Sequence, residues 1–260
     1  MQPLITVIIN CHNGEKYLRE AIESVINQTY ENWEIIFWDN FSNDKSKKIV
    51  KGFKENRIRY FYSKKFTNLY EARNLAIKKS KGAYICFLDT DDLWISNKLE
   101  TQVNFIKKNK NCLIQYSNYY VKREKSKKKY VKFKKSLSSG NISKKLMKNY
   151  TLGILTVFIK KTIFKNQNFD KKFNIIGDFD FFIKLSLMHK IFYLHKPLAI
   201  YRVHDANYSK INLNKYVLEL DYWLRRNKQF FNEKRISLIS QKYLLFKIRI
   251  KLFLSKLMGV

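Results

Sequence analysis

Three carboxylates lie within the four residues Asp89-Thr90-Asp91-Asp92, directly after the apolar run 83–88 (AYICFL). Carboxylates this close repel one another unless a cation or hydrogen bonds compensate. On an extended backbone Asp89 and Asp91 point to the same side and can offer oxygen ligands to one divalent ion. Mg²⁺ or Mn²⁺ suits such a site, with diphosphate oxygens and water completing the octahedron. The alternative is an Asx-rich turn that closes a strand.

The elements that would position these carboxylates alternate between strand and helix. Apolar runs predict four strands, at residues 5–10, 33–38, 57–62 and 83–88. Helical spacing predicts helices within residues 17–26, 46–53 and 70–79. This alternation implies an α/β fold with a mainly parallel sheet and helices on both faces. Ligands of such sheets bind at the carboxyl ends of the strands, where Asn10, Asp39 and Asp89 fall.

The pattern changes after residue 95, where an α+β half begins. Ser96 is expected to cap a helix that presents Leu99, Val103 and Ile106 on one face. Strands are predicted at 113–121, 130–133, 153–159, 191–194 and 198–201, with an amphipathic helix at 178–189. Beyond about residue 207 the chain is helical, aromatic and basic.

The composition describes a folded, strongly basic chain. Its 260 residues include 52 Lys or Arg against 21 Asp or Glu, a formal net charge of +31 that attracts polyanions. A base-composition bias of the source genome is an alternative explanation of the many lysines. No apolar run reaches the roughly 20 residues of a spanning helix, and no signal sequence precedes the first strand. With three widely spaced cysteines, we expect reduced thiols and a cytoplasmic protein.

Seven stretches occur in an order that resembles the glycosyltransferase family 2 enzymes, inverting transferases of bacterial type with the GT-A fold. They are residues 5–13 (ITVIINCHN), 23–30 (ESVINQTY), 34–40 (EIIFWDN), 71–74 (EARN), 82–92 (GAYICFLDTDD), 177–180 (GDFD) and 201–204 (YRVH). The resemblance covers about residues 4–205. It implies a GT-A domain at 1–205, with a nucleotide-sugar half at 1–95 and an acceptor half at 96–205, followed by a helical basic extension at 206–260.

The resemblance also implies a metal and nucleotide site. Asp89, Asp91 and Asp92 match the DxD region, whose Mn²⁺ or Mg²⁺ bridges the nucleotide diphosphate. His204 is a further metal ligand or, alternatively, forms a hydrogen bond with a phosphate. The matched nucleotide-binding residues are Asn10, His12, Asp39, Asn40, Arg73, Asp89, Thr90, Asp91 and Arg202. The family usually has an aspartate where this chain has Asn40, whose amide can still accept a hydrogen bond from a base but carries no charge. The alternative role of Arg73 is structural, either in an ion pair on its own helix or as a cap of that helix.

Asp178 matches the catalytic base of the family. Inversion by a single displacement requires one carboxylate to deprotonate the attacking acceptor hydroxyl. An aspartate before an apolar helix is also a common N-cap, and Asp180 is expected to support the helix start.

The last predicted helix, within residues 241–258, mixes apolar and basic side chains. Helical spacing places Leu245, Ile248, Leu252 and Leu257 on or near one face. Basic amphipathic helices lie on anionic membrane surfaces. The alternative is a terminal helix packed on the core.

These patterns predict transfer of a sugar from a nucleoside diphosphate donor to a glycan or lipid-linked acceptor. The favoured donor is a UDP-sugar, and the reaction would serve cell-surface polysaccharide or lipopolysaccharide synthesis. The enzyme would be cytoplasmic and peripheral on the inner face of the membrane. One alternative is a nucleic-acid-binding protein that uses its charge, although no nucleic-acid motif is present. Another is a nucleotidyltransferase, whose chemistry also uses a carboxylate-bound metal.

Overall fold

The computed structural model describes residues 2–257, and its centre is one mixed sheet. The first part of the chain forms β1 (Ile5–Cys11), β2 (Trp33–Asp39), β3 (Ile58–Tyr62) and β4 (Tyr84–Phe87). They are all parallel, in the spatial order β3-β2-β1-β4. The predicted parallel sheet of the first hundred residues is confirmed, and the carboxyl ends of β1, β2 and β4 meet at one edge.

The remaining strands extend the sheet beyond β4. They are β5 (Leu93–Trp94), β6 (Ile114–Arg123), β7 (Lys129–Val131), β8 (Phe158–Lys160) and β9 (Ile191–Val203). The order continues β4-β8-β6-β9-β5, and β7 pairs with β6 in an antiparallel hairpin. The strand β8 is antiparallel to both β4 and β6, whereas β6 and β9 run parallel. The second half is therefore α+β, joined to the first through one continuous sheet.

Helices cover both faces of this sheet. They are α1 (Glu15–Ile26), α2 (Ser46–Lys51), α3 (Leu69–Lys79), α4 (Lys98–Lys108), α5 (Ser143–Lys148), α6 (Gly177–Met188), α7 (Tyr208–Ile211), α8 (Leu213–Glu233) and α9 (Ile239–Leu257). Alternate residues of β1 point to opposite faces, so Val7 packs with the α1 side chains and Ile8 with those of α3 and α6. Burying each such side chain stabilises the fold by roughly 1.5–3 kcal/mol.

Three local predictions were wrong. Residues 153–159 do not form one strand, because a 3₁₀ turn at Ile154–Thr156 precedes the short β8. The two strands predicted at 191–194 and 198–201 are one strand, β9, which passes Pro197 through an irregularity in its pairing with β6. A bulge tolerates a proline because the ladder already lacks a hydrogen bond there. Ser96 does not cap α4, which begins at Lys98.

The three cysteines are buried free thiols, as expected. Burial raises the pKa of Cys11 and of Cys86 to about 11. It raises the pKa of Cys112 to about 12. All three therefore pack as small apolar side chains.

The two long C-terminal helices pack on the domain. Leu245 and Ile248 of α9 are buried in the same core cluster as α5, α6 and α8. The face of α9 that was predicted to contact a membrane therefore lies against the rest of the protein. The alternative, a terminal helix packed on the core, describes this face. Leu257 and Met258, also named in that prediction, lie outside the residues whose side chains are described. Within residues 2–257, no helix is long and apolar enough to cross a bilayer.

A buried carboxylate ties α8 to the start of α6. Oε1 of Glu219 accepts a hydrogen bond from the backbone N–H of Asn174 at 2.8 Å. Its Oε2 accepts from the N–H groups of Ile175 at 2.8 Å and Ile176 at 3.1 Å. These three residues lead directly into α6. An element of the C-terminal extension therefore orders the loop that places Asp178.

We expect Glu219→Ala to destabilise the protein by about 2–4 kcal/mol, because it leaves three backbone N–H groups without their charged acceptor. Glu233→Ala, on the exposed end of the same helix, should change the free energy of unfolding by less than about 0.5 kcal/mol. Urea denaturation followed by circular dichroism measures both. Equal stability of the two variants would show that the Glu219 contacts do not hold this loop.

Candidate functional site

A cavity of about 450 Å³ opens at the carboxyl edge of the parallel strands. Its wall includes nearly all of the predicted site residues, namely Asn10, His12, Asn40, Arg73, Asp89, Thr90, Asp91, Asp92 and Asp178. Asp39, Arg202 and His204 do not line it. The topology therefore brings side chains from β1, β2, β4, α3 and α6 to one place, although they are up to 168 residues apart (178 − 10).

The carboxylate run forms a turn rather than an extended segment. The backbone N–H of Asp92 donates to the carbonyl of Asp89 at 3.1 Å, which closes a four-residue turn. Asp89 and Asp91 consequently have different partners. Oδ1 of Asp89 accepts a hydrogen bond from Nη2 of the buried Arg73 at 2.6 Å. Arg73 thus compensates the first charge of the turn and does not pair with Glu71 on its own helix.

The second carboxylate of the turn contacts His204. Nε2 of His204 lies 2.8 Å from Oδ2 of Asp91, and Nδ2 of Asn207 donates to the same oxygen at 3.3 Å. Burial and the nearby Asp89 carboxylate raise the pKa of Asp91. The Arg-x-His stretch predicted to lie near the metal site is therefore beside Asp91, and Asn207 is an additional polar contact.

Asp92 and Arg202 hold β9 against the turn. The buried Oδ1 of Asp92 accepts from the backbone N–H of Arg202 at 2.9 Å. The Arg202 guanidinium donates to the carbonyl of Asp91 at 2.9 Å and to Glu20 of α1 at 2.8 Å, and it lies over the Tyr17 ring. Burial raises the pKa of Asp92 well above its ordinary value, and the other two carboxylates of the turn act in the same direction. Both residues fix the shape of the turn.

The Asn10 amide has no partner among residues 2–257. Its Oδ1 and Nδ2 are buried and make no hydrogen bond within the described part of the chain. Buried amide groups are nearly always hydrogen-bonded, because an unpaired one costs about 1–3 kcal/mol. Asn10 stands at the end of β1 and lines the cavity. A bound polar ligand would satisfy both atoms.

Two aromatic rings border the cavity near the end of β2. His12 and Phe66 meet edge to face with their centroids 4.6 Å apart, and Phe66 is 55% exposed. Nδ1 of His12 lies 3.1 Å from the Asn40 carbonyl. The Asn40 amide is bound to Thr67, since it donates to the Thr67 carbonyl at 2.7 Å and accepts from the Thr67 hydroxyl at 2.8 Å. Asn40 therefore positions the Phe66 loop.

Asp39 is fully buried and engaged elsewhere. Its Oδ1 accepts from the backbone N–H of Ser42 at 2.8 Å, and its Oδ2 accepts from the Tyr60 hydroxyl at 2.6 Å. Through these two hydrogen bonds, Asp39 orders the loop after β2. Its contact with a nucleotide base stays a prediction.

Asp178 stands in the first turn of α6, where it does not act as the N-cap. Its Oδ1 lies 3.2 Å from the Tyr70 hydroxyl, which donates to it. A Cβ on Gly177 would come within 2.4 Å of the Tyr70 ring, so glycine is required for this close approach. Burial raises the pKa of Asp178, whereas the Arg73 charge opposes that rise. The carboxylate therefore becomes a stronger base than an ordinary aspartate.

Asp180, two residues further on, is structural as expected. Its buried carboxylate accepts from Trp223 Nε1 at 2.9 Å and pairs with Lys184 and Arg226.

Several residues of the cavity wall carry no local sequence signal. Phe66 and Thr67 lie in an irregular loop, and the aromatic side chains from the second half arrive from separate elements. The unpredicted wall residues include Phe66, Thr67, Tyr119, Tyr201, Asn207 and Tyr208. A sequence periodicity indicates the buried face of an element, whereas these positions depend on how separate loops and strands meet in the folded chain.

The model of the family described as "Glycosyl transferase family 2" matches residues 6–203. The chain belongs to this family. A glucosyltransferase named for UDP-Glc and GlcNAc-diphosphoundecaprenol, WfgD of Escherichia coli, is 33% identical over 71% of this chain and 70% of its own length. An uncharacterized glycosyltransferase of Rickettsia typhi is 33% identical over 82% of this chain and 68% of its own. The chain spans only 30% of a longer relative from Rickettsia bellii.

Solved structures share the fold of this glycosyltransferase. TarS of S. aureus, in complex with UDP-GlcNAc, superposes with a TM-score of 0.66 at 18% identity, over 85% of this chain and 66% of that one. The mannosyltransferase PcManGT of Pyrobaculum calidifontis, in complex with GDP-Man and Mn²⁺, gives 0.66 at 13% identity, over 100% and 77%. The GT-A fold is thereby confirmed. Family membership favours the transferase over the nucleic-acid-binding and nucleotidyltransferase alternatives.

Proposed function

We propose that this glycosyltransferase moves a sugar from a nucleoside diphosphate donor, first of all a UDP-sugar, to a hydroxyl of a glycan or lipid-linked acceptor, with inversion. The reaction would serve the synthesis of cell-surface polysaccharide or lipopolysaccharide. The observation that carries the proposal is one cavity that unites the unpaired Asn10 amide, the carboxylate turn and Asp178. Relatives named for UDP-Glc and a TarS complex with UDP-GlcNAc support the uridine nucleotide.

The sugar donor would lie along the strand ends. The His12 and Phe66 rings offer an apolar surface to the base, and Asn10 can both donate to and accept from a ribose or base. Arg73 is held by Asp89 at the diphosphate end of this surface. Its planar guanidinium suits phosphate oxygens.

Asp91 and His204 are the residues that would hold a divalent metal. A carboxylate and an imidazole in contact at 2.8 Å are a fitting pair for Mn²⁺, or with more water for Mg²⁺. Among the side chains described, no three His, Cys, Asp or Glu groups come together to hold a metal ion, so diphosphate oxygens and water would supply the other ligands. The metal would offset the diphosphate charge. Asp92 is engaged with Arg202 and is better explained as structural.

The chemistry rests on Asp178. An acceptor hydroxyl beside this carboxylate transfers its proton to Asp178, while the hydroxyl oxygen forms a bond to the anomeric carbon of the donor sugar. The bond from that carbon to the diphosphate oxygen breaks, and its electron pair leaves with the nucleoside diphosphate. Because the new bond forms on the face opposite the leaving group, the anomeric configuration inverts. Tyr70 donates to Asp178 and keeps it oriented.

We also propose that the enzyme is cytoplasmic and peripheral on an anionic membrane, through the outer face of α9. This face lies opposite the packed Leu245 side and exposes Ile239, Tyr243, Phe246, Ile250 and Phe253. Lys242, Lys247 and Lys251 flank it. An exposed apolar stripe between lysines matches the apolar and anionic layers of such a surface.

Asp178→Asn should lower the rate of sugar transfer by about 10²–10⁴-fold, because it removes the general base. Nucleotide binding should persist. Since the pKa of Asp178 is raised and the ionised form is required, wild-type kcat/KM should fall as the pH drops through a value above the ordinary aspartate range. Release of the nucleoside diphosphate, measured across pH, reports both effects. Asp205→Asn, on an exposed loop outside the cavity, is the control. A variant that keeps normal transfer would exclude Asp178 as the base.

A panel of nucleoside diphosphates and their sugars should raise the melting temperature of the wild type, most strongly with Mn²⁺ present. A ligand at 100 times its Kd stabilises by about 2.7 kcal/mol. Asp91→Asn should lose the Mn²⁺-dependent part of this gain while keeping a smaller, metal-independent part. A panel without any stabilising nucleotide would contradict the proposed sugar donor, and an unaltered Mn²⁺ effect in Asp91→Asn would contradict the metal assignment.

The membrane proposal predicts that the protein floats with vesicles of phosphatidylglycerol and phosphatidylcholine, and less so in about 0.5 M salt. Phe246→Glu should reduce flotation severalfold, because it places a charge in the exposed stripe. Met188→Glu, an equally exposed apolar position at the end of α6, should not. Absence of flotation in the wild type, or equal flotation of both variants, would refute this role of α9.

A further inference from the structure

A second cavity of about 560 Å³ adjoins the first. Its wall is formed by the start of α6, the loop after α5, and the two C-terminal helices. The two cavities share Ile175, Asp178 and Ser209 in their walls. Asp178 therefore lines both cavities, and the proposed sugar donor would occupy only the first of them.

Two buried polar atoms in this second wall are unpaired. The Tyr150 hydroxyl and Oε1 of Gln241 make no hydrogen bond within the described residues, although Nε2 of Gln241 donates to the Met147 carbonyl at 2.5 Å. Gln241 is 5% exposed. As at Asn10, an unpaired buried group of this kind indicates a polar ligand. A hydroxyl-rich molecule would supply donors for the Gln241 oxygen and a partner for the Tyr150 hydroxyl.

The other lining side chains define the class of that ligand. Aromatic rings of Tyr150, Phe179 and Tyr216 line the space, and aromatic faces pack against the C–H faces of sugars while amides bind the hydroxyl groups. Lys148 and Lys247, both exposed, add two cations. Such ammonium groups suit phosphate oxygens.

The second cavity also borders the outer face of α9. Tyr243 belongs both to the cavity wall and to the exposed apolar stripe of that helix. A molecule with a sugar inside the cavity would therefore have its other end beside the stripe. The wall of this cavity thus combines a carboxylate, polar and aromatic side chains and two lysines, and it borders an exposed apolar surface.

We propose that the second cavity is the acceptor site, and that it binds the sugar of a glycosyl diphosphate lipid. The sugar hydroxyl would meet Asp178, the diphosphate would meet Lys148 and Lys247, and the lipid would lie along α9. This assignment rests on the proposed transferase function. It gives α8 and α9 a direct part in selecting the acceptor.

Tyr150→Phe is the cleanest test, because the hydroxyl it removes has no partner among the described residues and the fold should be unaffected. The probe is an N-acetylglucosaminyl diphosphate with a short alkyl chain, titrated calorimetrically into full-length protein saturated with the most stabilising nucleoside diphosphate. We expect roughly 3- to 10-fold weaker binding of the probe, with unchanged nucleotide affinity. Tyr193→Phe, whose hydroxyl lies outside both cavities beside His195, should bind the probe like the wild type.

Ser240→Trp tests the same site by filling it. A tryptophan on the cavity side of α9 should weaken probe binding at least tenfold and leave nucleotide binding intact. Lys228→Trp, exposed on α8 and outside the cavity wall, controls for the added ring. A wild type that binds the nucleotide but not the probe at millimolar concentration, or equal binding of the probe by all variants, would overturn the acceptor assignment. A wild type that binds no nucleotide would instead contradict the proposed function itself.

Discussion

Electrostatic compensation of the carboxylate turn is the constraint on which the rest of the site depends. Three carboxylates in four residues are tolerated because each has its own hydrogen-bond partner. Asp89 has Arg73, Asp91 has His204 and Asn207, and Asp92 has a backbone N–H of β9. These partners come from α3, the segment after β9 and β9 itself. The turn thus links the parallel first half of the sheet to its second half.

The Glu219 carboxylate connects the C-terminal helices with the segment that carries Asp178. Glu219 gathers three backbone N–H groups immediately before α6, and Asp178 follows two residues after the last of them. The helical extension is therefore part of the framework that positions Asp178, the proposed base. The two adjoining cavities meet at this point, so the same helix start separates the proposed sites of donor and acceptor.

The sequence predicted what depends on short-range pattern. The parallel strands could be located because their apolar runs are continuous, and Asp89 could be placed at the sheet edge because it follows such a run. Pairings across the fold were not accessible in this way. The partners of Glu219 lie more than 40 residues away along the chain, and Asn40 proved to hold a loop. In α9, the apolar residues at helical spacing proved to form the buried face. The opposite face is exposed and carries larger aromatic residues, so it is the one available to an external surface.

The burial of all three native thiols has a practical consequence for spectroscopy. With pKa values of about 11 to 12, on the order of one thiol in ten thousand or fewer is ionised at pH 7, and the thiolate is the form that reacts with maleimides. A cysteine introduced on a solvent-facing position would carry essentially all of the label. Distances between α9 and the strand ends can therefore be followed by fluorescence in an otherwise native background.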